Sequence, residues 1–483
     1  MNSFILLSFS MVNPLPIGIY YALCGILSIA VLVGIHLMSK VEKAQLGNQI
    51  SALAVAIGVL ITLIQNEILP LWLIYPGVIV GLIIGLVMAK RVKMIQMPQM
   101  VALLNGVGGA ASAIVASFVF IELYSSIDNL GNPDYFGRVT ASLAIAIGSI
   151  TLLGSLVAAG KLHKVLAQKP VILPSHQALS MALLIVTAIL VVLGGFFSVA
   201  STSVILIATI LIASAFGIVF SIRVGGADMP ITISLLNSLS GVAAAVAGFA
   251  IGDVLLVAVG GIVGASGLFL TQVMCRAMNR SLMDILLGKT AARNSKTEAD
   301  VAAPEVSQEN EEKQVAIDPV EVIKNAKTAI IVPGYGMALA QAQHLVNNLA
   351  KKMKANGATV KYAIHPVAGR MPGHMDVLLV EAGVAFDDVF EMDEVNNEFK
   401  DVDVTIVVGA NDVLNPAARN AEGTPIYGMP ILNVDQCKNI VIFNYDLKPG
   451  YSGVDNPIYK RKSGVAVVQG DASQTLTELL NKI

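Results

Sequence analysis

Thr328-Ala-Ile-Ile-Val-Pro-Gly-Tyr-Gly-Met-Ala-Leu-Ala-Gln-Ala-Gln343 decides how the last third of the chain folds. Ala329–Val332 is a short apolar run and reads as a buried parallel strand. Gly334 and Gly336 follow at once, and a helix-forming run extends from Met337 to Lys354. A strand, a tight glycine turn and a helix N-terminus together make a pyrophosphate site. The glycines let the backbone approach the ligand, and the helix N–H groups and dipole favour the anion. The two glycines alone are a weak signal, because Leu339 stands where a third glycine or alanine is usual, and a plain strand-turn-helix has the same pattern.

The residues downstream strengthen the reading. Apolar runs at Val360–Ile364, Val404–Val408, Ile440–Asn444 and Val465–Val468 predict further strands, and helices are expected at His374–Ala382 and Gln474–Asn481. Strands alternating with helices imply a doubly wound parallel sheet, a Rossmann-like α/β domain, whose ligands bind outside the carboxyl ends of the strands. Each such end carries glycine or polar residues: Gly334-Tyr335-Gly336, His365 to Gly373, Gly409-Ala-Asn-Asp412, Asn444 to Tyr451, and Gly470-Asp471. The second strand ends at His365-Pro366, where an acid for a ribose 2′-hydroxyl is usual. Arg370 follows instead, which points to a 2′-phosphate or to an unusual binding mode. His365 itself reads either as a strand-end cap or as a ligand contact.

Everything upstream is different in kind. The 483 residues are 55% hydrophobic and 13% charged, with a mean hydropathy of +0.73. Soluble chains carry about a quarter charged residues, so most of this one belongs in lipid. A net charge of -2 gives no footing for a nucleic-acid partner. Cys24, Cys275 and Cys437 are too far apart for a metal site or a disulfide framework. The segment Met1 to Pro16 lacks a basic n-region and reads as retained rather than cleaved.

About nine apolar runs are long enough to span hydrocarbon: Ile17–Met38, Ile50–Ile68, Leu71–Met88, Met100–Ile121, Val139–Ala159, Ala178–Phe197, Ser203–Ile222, Met229–Ala250 and Val254–Met274. Basic residues cluster after alternate spans: Lys40 and Lys43, Lys90, Arg91 and Lys93, Lys161, Lys164 and Lys169, Arg223, then Arg276, Arg280 and Lys289. The other loops hold Glu67, Glu122, Asp128, Asp134 and Asp253, with only Arg138 basic. By the positive-inside rule the N-terminus is outside and the carboxyl-terminal domain cytoplasmic. The expected division is a membrane helical bundle at 1–285, a polar, charged tether at 286–317 and the α/β domain at 318–483.

Within the bundle, glycine, alanine and serine dominate, as close helix packing requires. Four polar residues stand out. Asn105 lies near the start of the fourth span and Asn237 in the eighth, on one helical face with Ser234 and Gly241. Each amide serves interhelical hydrogen bonding or a water-lined track. Asp228 sits at the mouth of the eighth span beside Gly225-Gly226, and His36 near the cytoplasmic end of the first, as an interfacial residue or a proton carrier.

Assembled, the chain resembles the β subunit of proton-translocating NAD(P)+ transhydrogenase over nearly its whole length. The resemblance rests on Pro333-Gly-Tyr-Gly-Met, Ile364-His-Pro-Val-Ala-Gly-Arg-Met-Pro-Gly373, Glu391-Met-Asp-Glu, Gly409-Ala-Asn-Asp, Gly428-Met-Pro and Gly450-Tyr…Asn456-Pro457 in the α/β domain. In the membrane it rests on Gly225-Gly-Ala-Asp-Met-Pro, Leu236-Asn-Ser and Met274-Cys-Arg-Ala-Met-Asn-Arg-Ser281. The resemblance implies NADP(H) on this chain, in an orientation reversed from ordinary Rossmann proteins. NAD(H) is then held by a partner α subunit, and direct hydride transfer between them is coupled to proton movement across the plasma (inner) membrane. It implies an α2β2-type assembly with a homodimer of the membrane domain. The implied cofactor contacts are Gly334, Tyr335 and Gly336 after the first strand, and His365, Val367, Ala368, Gly369, Arg370, Met371 and Pro372 after the second. Gly409, Ala410, Asn411 and Asp412 follow another strand, with Gly428 and Met429 beyond. Asn444, Tyr445, Lys448, Gly450, Tyr451, Asp471 and Ala472 complete the set. The implied proton path uses Asn105, Asn237, Asp228 and His36. No residue is assigned a covalent catalytic role and no metal is expected.

The chain departs from the family pattern twice. Asn444-Tyr445-Asp446 stands where Lys-Arg-Ser is frequent, leaving Lys448 as the nearest cation for a 2′-phosphate, with Lys460, Arg461 and Lys462 next. Asn105 stands where some members carry histidine. The competing reading is a transporter or channel gated by a nucleotide-sensing domain, and a passive anchor for an oxidoreductase is a third. No T-V-G-Y-G filter is present to favour a channel.

Overall fold

The computed structural model describes residues 14–39, 43–66, 74–92, 96–125, 134–167, 170–196, 202–225, 228–277, 281–282, 317–369, 373–422, 424, 426–450, 452–461 and 463–483. Residues 286–316 of the expected tether lie outside this set, as do Arg370, Met371, Pro372, Tyr451 and Lys462. The chain forms two compact units, one made of residues up to 160, 179–221 and 234–269, the other of 161–178, 222–233 and 270–483.

Among the described residues, nine helices are long and apolar enough to cross a bilayer. They are α1 (Ile17–Met38), α2 (Ala44–Gln65), α3 (Ile74–Arg91), α4 (Met97–Ser125), α5 (Tyr135–Leu162), α6 (His176–Phe196), α7 (Thr202–Arg223), α8 (Met229–Ile251) and α9 (Val254–Ala277). Each overlaps one of the expected spans. Helices α4 and α5, at 29 and 28 residues, overrun the apolar run at both ends. Small residues set the packing. A Cβ on Gly109 of α4 would lie 2.8 Å from Gly148 O of α5, and one on Gly241 of α8 would lie 2.5 Å from Gly264 N of α9. Backbones approach this closely only where side chains are absent, and dispersion then replaces the hydrophobic drive that lipid cannot supply.

The α/β part of the second unit begins with α10 (Pro319–Asn325), whose N-terminus is capped by Asp318 accepting from Val320 N at 2.9 Å. Strands β1 (Thr328–Pro333), β2 (Thr359–Ile364), β3 (Val389–Glu391), β4 (Val404–Val408), β5 (Ile440–Asn444) and β6 (Val465–Gln469) form one parallel sheet in the order β3-β2-β1-β4-β5-β6. Both β4 and β5 are buried at every position, as expected when helices cover both faces. The order reverses between β1 and β4, so the crevice for a ligand opens outside the carboxyl ends of those two strands.

Two features differ from the sequence reading. The helix expected from Met337 to Lys354 is two: α11 (Tyr335–Leu339) and α12 (Gln343–Ala355). Gln341 adopts φ 51°, and Ala342 N donates back to Met337 O at 3.0 Å, closing the first helix. Strand β3 is three residues long, too short for an apolar run to reveal. Further helices α13 (His374–Glu381), α14 (Met392–Val395), α15 (Ala417–Asn420) and α16 (Ala472–Lys482) complete the domain.

At the switch point the turns after β1 and β4 touch. Gly334 N donates to Val408 O and Gly336 N to Gly409 O, both at 2.8 Å. Gly409 has φ 67°, and a Cβ there would overlap Met337 N and Gly336 Cα. Gly409→Ala is therefore expected to destabilise the domain by about 2 kcal/mol or more, left-handed strain adding to overpacking. Gly357→Ala, with φ 88° but open space around the new methyl, should show the strain alone, about 1 kcal/mol. Thermal unfolding of both full-length variants checks the difference.

Candidate functional site

The carboxyl ends of β1, β2, β4 and β5 converge on one crevice, and side-chain bonds hold their loops. At β1 the turn carries one side chain, Tyr335, whose ring lies 6.4 Å from that of His374, and the helix it opens, α11, spans only five residues. Its dipole is correspondingly short, and Gly336 N–H is already taken by Gly409 O. The Gly334 N–H is taken as well, by Val408 O, so the turn offers close backbone approach rather than the long helix dipole that the sequence suggested.

After β2, His365 is 1% exposed. Its Nε2 lies 2.8 Å from Pro430 O, and its Nδ1 accepts from Val367 N at 3.2 Å. A carbonyl can only accept, so Nε2 carries the proton and the ring is neutral. Burial pushes its pKa down to about 4, against smaller opposing effects of Pro430 O and Asp393. His365 thus ties the β2 loop to the segment holding Gly428 and Met429. Ala368 is buried, and Gly369, at φ 104°, is pressed against His374.

After β4, Asn411 and Asp412 are stitched to the segment beyond β5. Asp412 accepts from Ser452 N at 3.0 Å and from Ser452 Oγ at 2.7 Å. Asn411 Nδ2 donates to Lys448 O at 3.1 Å, and Asn456 Nδ2 donates to Asn411 Oδ1 at 3.0 Å. Gly450 lies so close that a Cβ would meet the Asp412 carboxylate at 2.6 Å. Asn444, at the end of β5, points inward and donates to Ala410 O at 3.0 Å and to Tyr459 Oη at 2.8 Å. Burial pushes the Tyr459 phenol up to about 12. Ser452 and Tyr459 were not singled out from the sequence, and Pro430 and Asn456 only as parts of the Gly428-Met-Pro and Asn456-Pro457 motifs. Asn456-Pro457 was the readable signal, since an asparagine before a proline caps the short turn that follows.

The charges at this rim are mostly acidic. Tyr445 is 80% exposed, and Asp446 Oδ1 accepts from Lys448 N at 3.1 Å. Lys460 pairs with Asp455 at 2.9 Å, and Arg461 donates to Cys437 O at 2.8 Å, at the amino end of β5 and away from the crevice. Of the cations nominated by sequence, Lys448 keeps its place at the rim and Arg461 does not. Asp471 caps α16, accepting from Ser473 Oγ at 2.5 Å and from Ser473 N at 2.8 Å and so being held below the usual carboxylate range, and Ala472 opens that helix. Asp376 and Glu391 are held above that range, by burial first and, for Glu391, by Asp376 next.

The bundle assembles its own polar residues. Asn105 is buried, Ser234 is buried and Asn237 half-buried, while Ser238 Oγ donates to Gly264 O at 2.6 Å. Helices α4 and α8 run in the same direction, because the start of α5 meets the ends of both: Arg138 Nη2 donates to Leu123 O at 3.3 Å, and the Phe136 and Phe249 rings lie 6.1 Å apart. Gly108 of α4 faces Ser240 Oγ of α8. Asn105 and Asn237 each lie one turn before that contact, on the facing sides and at one level. Asp228 is buried immediately before α8, whereas His36 is exposed in the last turn of α1. Lys161, read from sequence as a loop cation, is buried instead. Its ammonium donates to Ile222 O and, at 2.8 Å, to Val224 O, satisfying carbonyls that the end of α7 leaves unpaired. Among the described residues no cluster suits a metal ion.

The family model for NAD(P) transhydrogenase beta subunit matches residues 20–482. The chain belongs to that family. A NAD(P) transhydrogenase subunit beta of Rhodospirillum rubrum is 40% identical over 462 residues, covering 95% of this chain and 97% of the relative. A second sequence of that name, from a particular strain of the same organism, matches to the same extent. Membership over this length bears out both the resemblance and the architecture of membrane helices with a Rossmann-like sheet.

Neutral His365 makes a pH test possible. Its folded pKa, about 4, lies below the ordinary 6.5. Its contribution to stability is therefore full above pH 6.5 and is lost as pH falls toward 4, by roughly 3 kcal/mol in all. His365→Gln should show a flatter fall over that window in denaturant titrations. Parallel curves for the two proteins would place His365 in a hydrated setting.

Proposed function

We propose that this chain is the NADP(H)-binding, proton-moving subunit of a transhydrogenase that works only with an α partner holding NAD(H). The observation that carries the reading is the pairing, in one chain, of a single glycine crevice at a sheet switch point with a bundle containing two amides at one level. Direct hydride transfer between two nicotinamides needs two nucleotide sites, and the described residues supply one. The α/β domain at 318–483 would face the cytoplasm of a plasma (inner) membrane, within an α2β2-type assembly.

The crevice would take a dinucleotide. Its floor would be the glycine backbone where the β1 and β4 turns meet, with His365, Asp412 and Lys448 in the loops that follow β2, β4 and β5. A bound nicotinamide supplies the hydride chemistry, and the chain's part is to bind, orient and exclude water. Lys448, Ser452 and Asn456, held to Asn411 and Asp412, would border the ligand. Lys448 would meet the 2′-phosphate as a charge-assisted donor. In the bundle, Asn105 and Asn237 do not titrate, so they would hold water or orient a hydrogen-bond chain, with Asp228 giving and taking the proton at one mouth and His36 the other nominee.

Purified chain should bind NADPH yet transfer no hydride between nucleotides until the α partner is added. Transfer by the chain alone would overturn the two-subunit reading. Lys448→Ala is expected to weaken NADPH about tenfold, the equivalent of one charge-assisted contact, while NADH changes little. Titration by nucleotide fluorescence reads both constants, and an equal effect on the two would move the phosphate contact elsewhere.

A further inference from the structure

Helix α8 is bracketed by two buried carboxylates. Asp228 precedes its first residue and is 9% exposed; Asp253, after the Gly252 turn at φ 71°, is 8% exposed. The 23 residues of α8 rise about 35 Å, roughly the hydrocarbon thickness of a bilayer. A carboxylate at the end of a membrane helix ordinarily reaches into water, because burying its charge is costly. Asp253 is withdrawn from water while lying at that boundary.

Its surroundings are protic. Asp253 Oδ1 accepts from Leu256 N at 2.9 Å and caps α9. The second oxygen, Oδ2, faces α2 and accepts from Thr62 Oγ1 at 3.3 Å, a long and weak bond. Gln65 lies one turn further along α2 on the same side, and its Oε1 is buried with no hydrogen-bond partner among the described residues. An orphaned acceptor there calls for a donor, and water is the natural one. From α1, Tyr20 and Cys24 pack with Leu255 and lie within electrostatic reach of Asp253. Thr62 and Gln65 are neutral, and the adjoining turns of α8 and α9, Gly248–Ile251 and Val254–Val257, bring no further ionisable side chain. A carboxylate needed only as a helix cap requires neither this burial nor a second oxygen turned toward a hydroxyl of a neighbouring helix.

We propose that Asp253 is the proton-carrying group at the end of the bundle opposite Asp228. Its carboxylate takes up a proton at Oδ2 and releases it again, with no other bond made or broken. The inference rests on the proton-moving function proposed above.

The test uses the full chain reconstituted with its α partner in sealed vesicles, with hydride transfer read by absorbance and proton movement by a pH-sensitive dye. Asparagine caps a helix as well as aspartate does but cannot titrate. Asp253→Asn is expected to lower proton movement at least tenfold, slow the coupled hydride transfer with it, and leave NADPH binding and thermal stability unchanged. Thr62→Val removes a donor to the carboxylate, so the pH profile of proton movement should shift to higher pH, which a purely structural role would not produce. Should Asp253→Asn fail to insert, Asp253→Ser, which keeps a capping oxygen, carries the same expectation. Proton movement at the wild-type rate in either variant overturns the proposal. Hydride transfer without proton movement in the wild type would overturn the functional reading, and this inference with it.

Discussion

Backbone laid directly against backbone is the constraint on which both units depend. In the α/β domain the Gly334 and Gly336 amides bond to the carbonyls of Val408 and Gly409, and a methyl on Gly409 would overlap the next turn. That contact fixes the spacing of β1 and β4, and so the width of the crevice. In the bundle Gly109 meets Gly148 and Gly241 meets Gly264 in the same manner. Lipid offers helices little hydrophobic reason to associate, so close approach is what gives them a fixed register. Register in turn places Asn105 level with Asn237.

A second constraint follows from burial. Each polar group drawn into these tight contacts needs a partner. The α/β domain meets it with a net of amides and carbonyls: His365 to Pro430, Asn444 to Ala410 and Tyr459, Asp412 to Ser452. The net joins the ends of β2, β4 and β5 into one rim. In the membrane the Lys161 ammonium serves the carbonyls at the end of α7. Such groups are where a bundle that moves protons and a bundle that merely anchors would differ.

Most of the architecture was legible in the sequence. The spans are long apolar runs with basic residues at alternate ends, and β1, β2, β4, β5 and β6 are apolar runs closed by glycine or polar residues. What escaped notice has physical reasons. The break between α11 and α12 falls in Ala340-Gln341-Ala342, all good helix formers, with no glycine to mark the left-handed residue. Strand β3 is too short for any period. Lys161 and Arg461 carry the charge of surface residues, yet their long stems bring them to buried or distant carbonyls that only the fold supplies. Of the site, the glycine turns, His365 and Asp412 could be read directly. The stitching by Ser452, Asn456 and Tyr459 could not, because those contacts join segments about 40 residues apart or fold back within a loop.

The central claim is that nucleotide chemistry at the sheet and proton movement through the bundle are one process, with Asn237 on the path. The direct measurement is proton movement in sealed vesicles bearing this chain and its α partner, during hydride transfer, for wild type and Asn237→Leu. Leucine fits lipid but removes the amide proposed to hold water. The account predicts that the variant inserts and binds NADPH, moves no protons, and transfers hydride slowly. Undiminished proton movement in correctly inserted Asn237→Leu protein would contradict it.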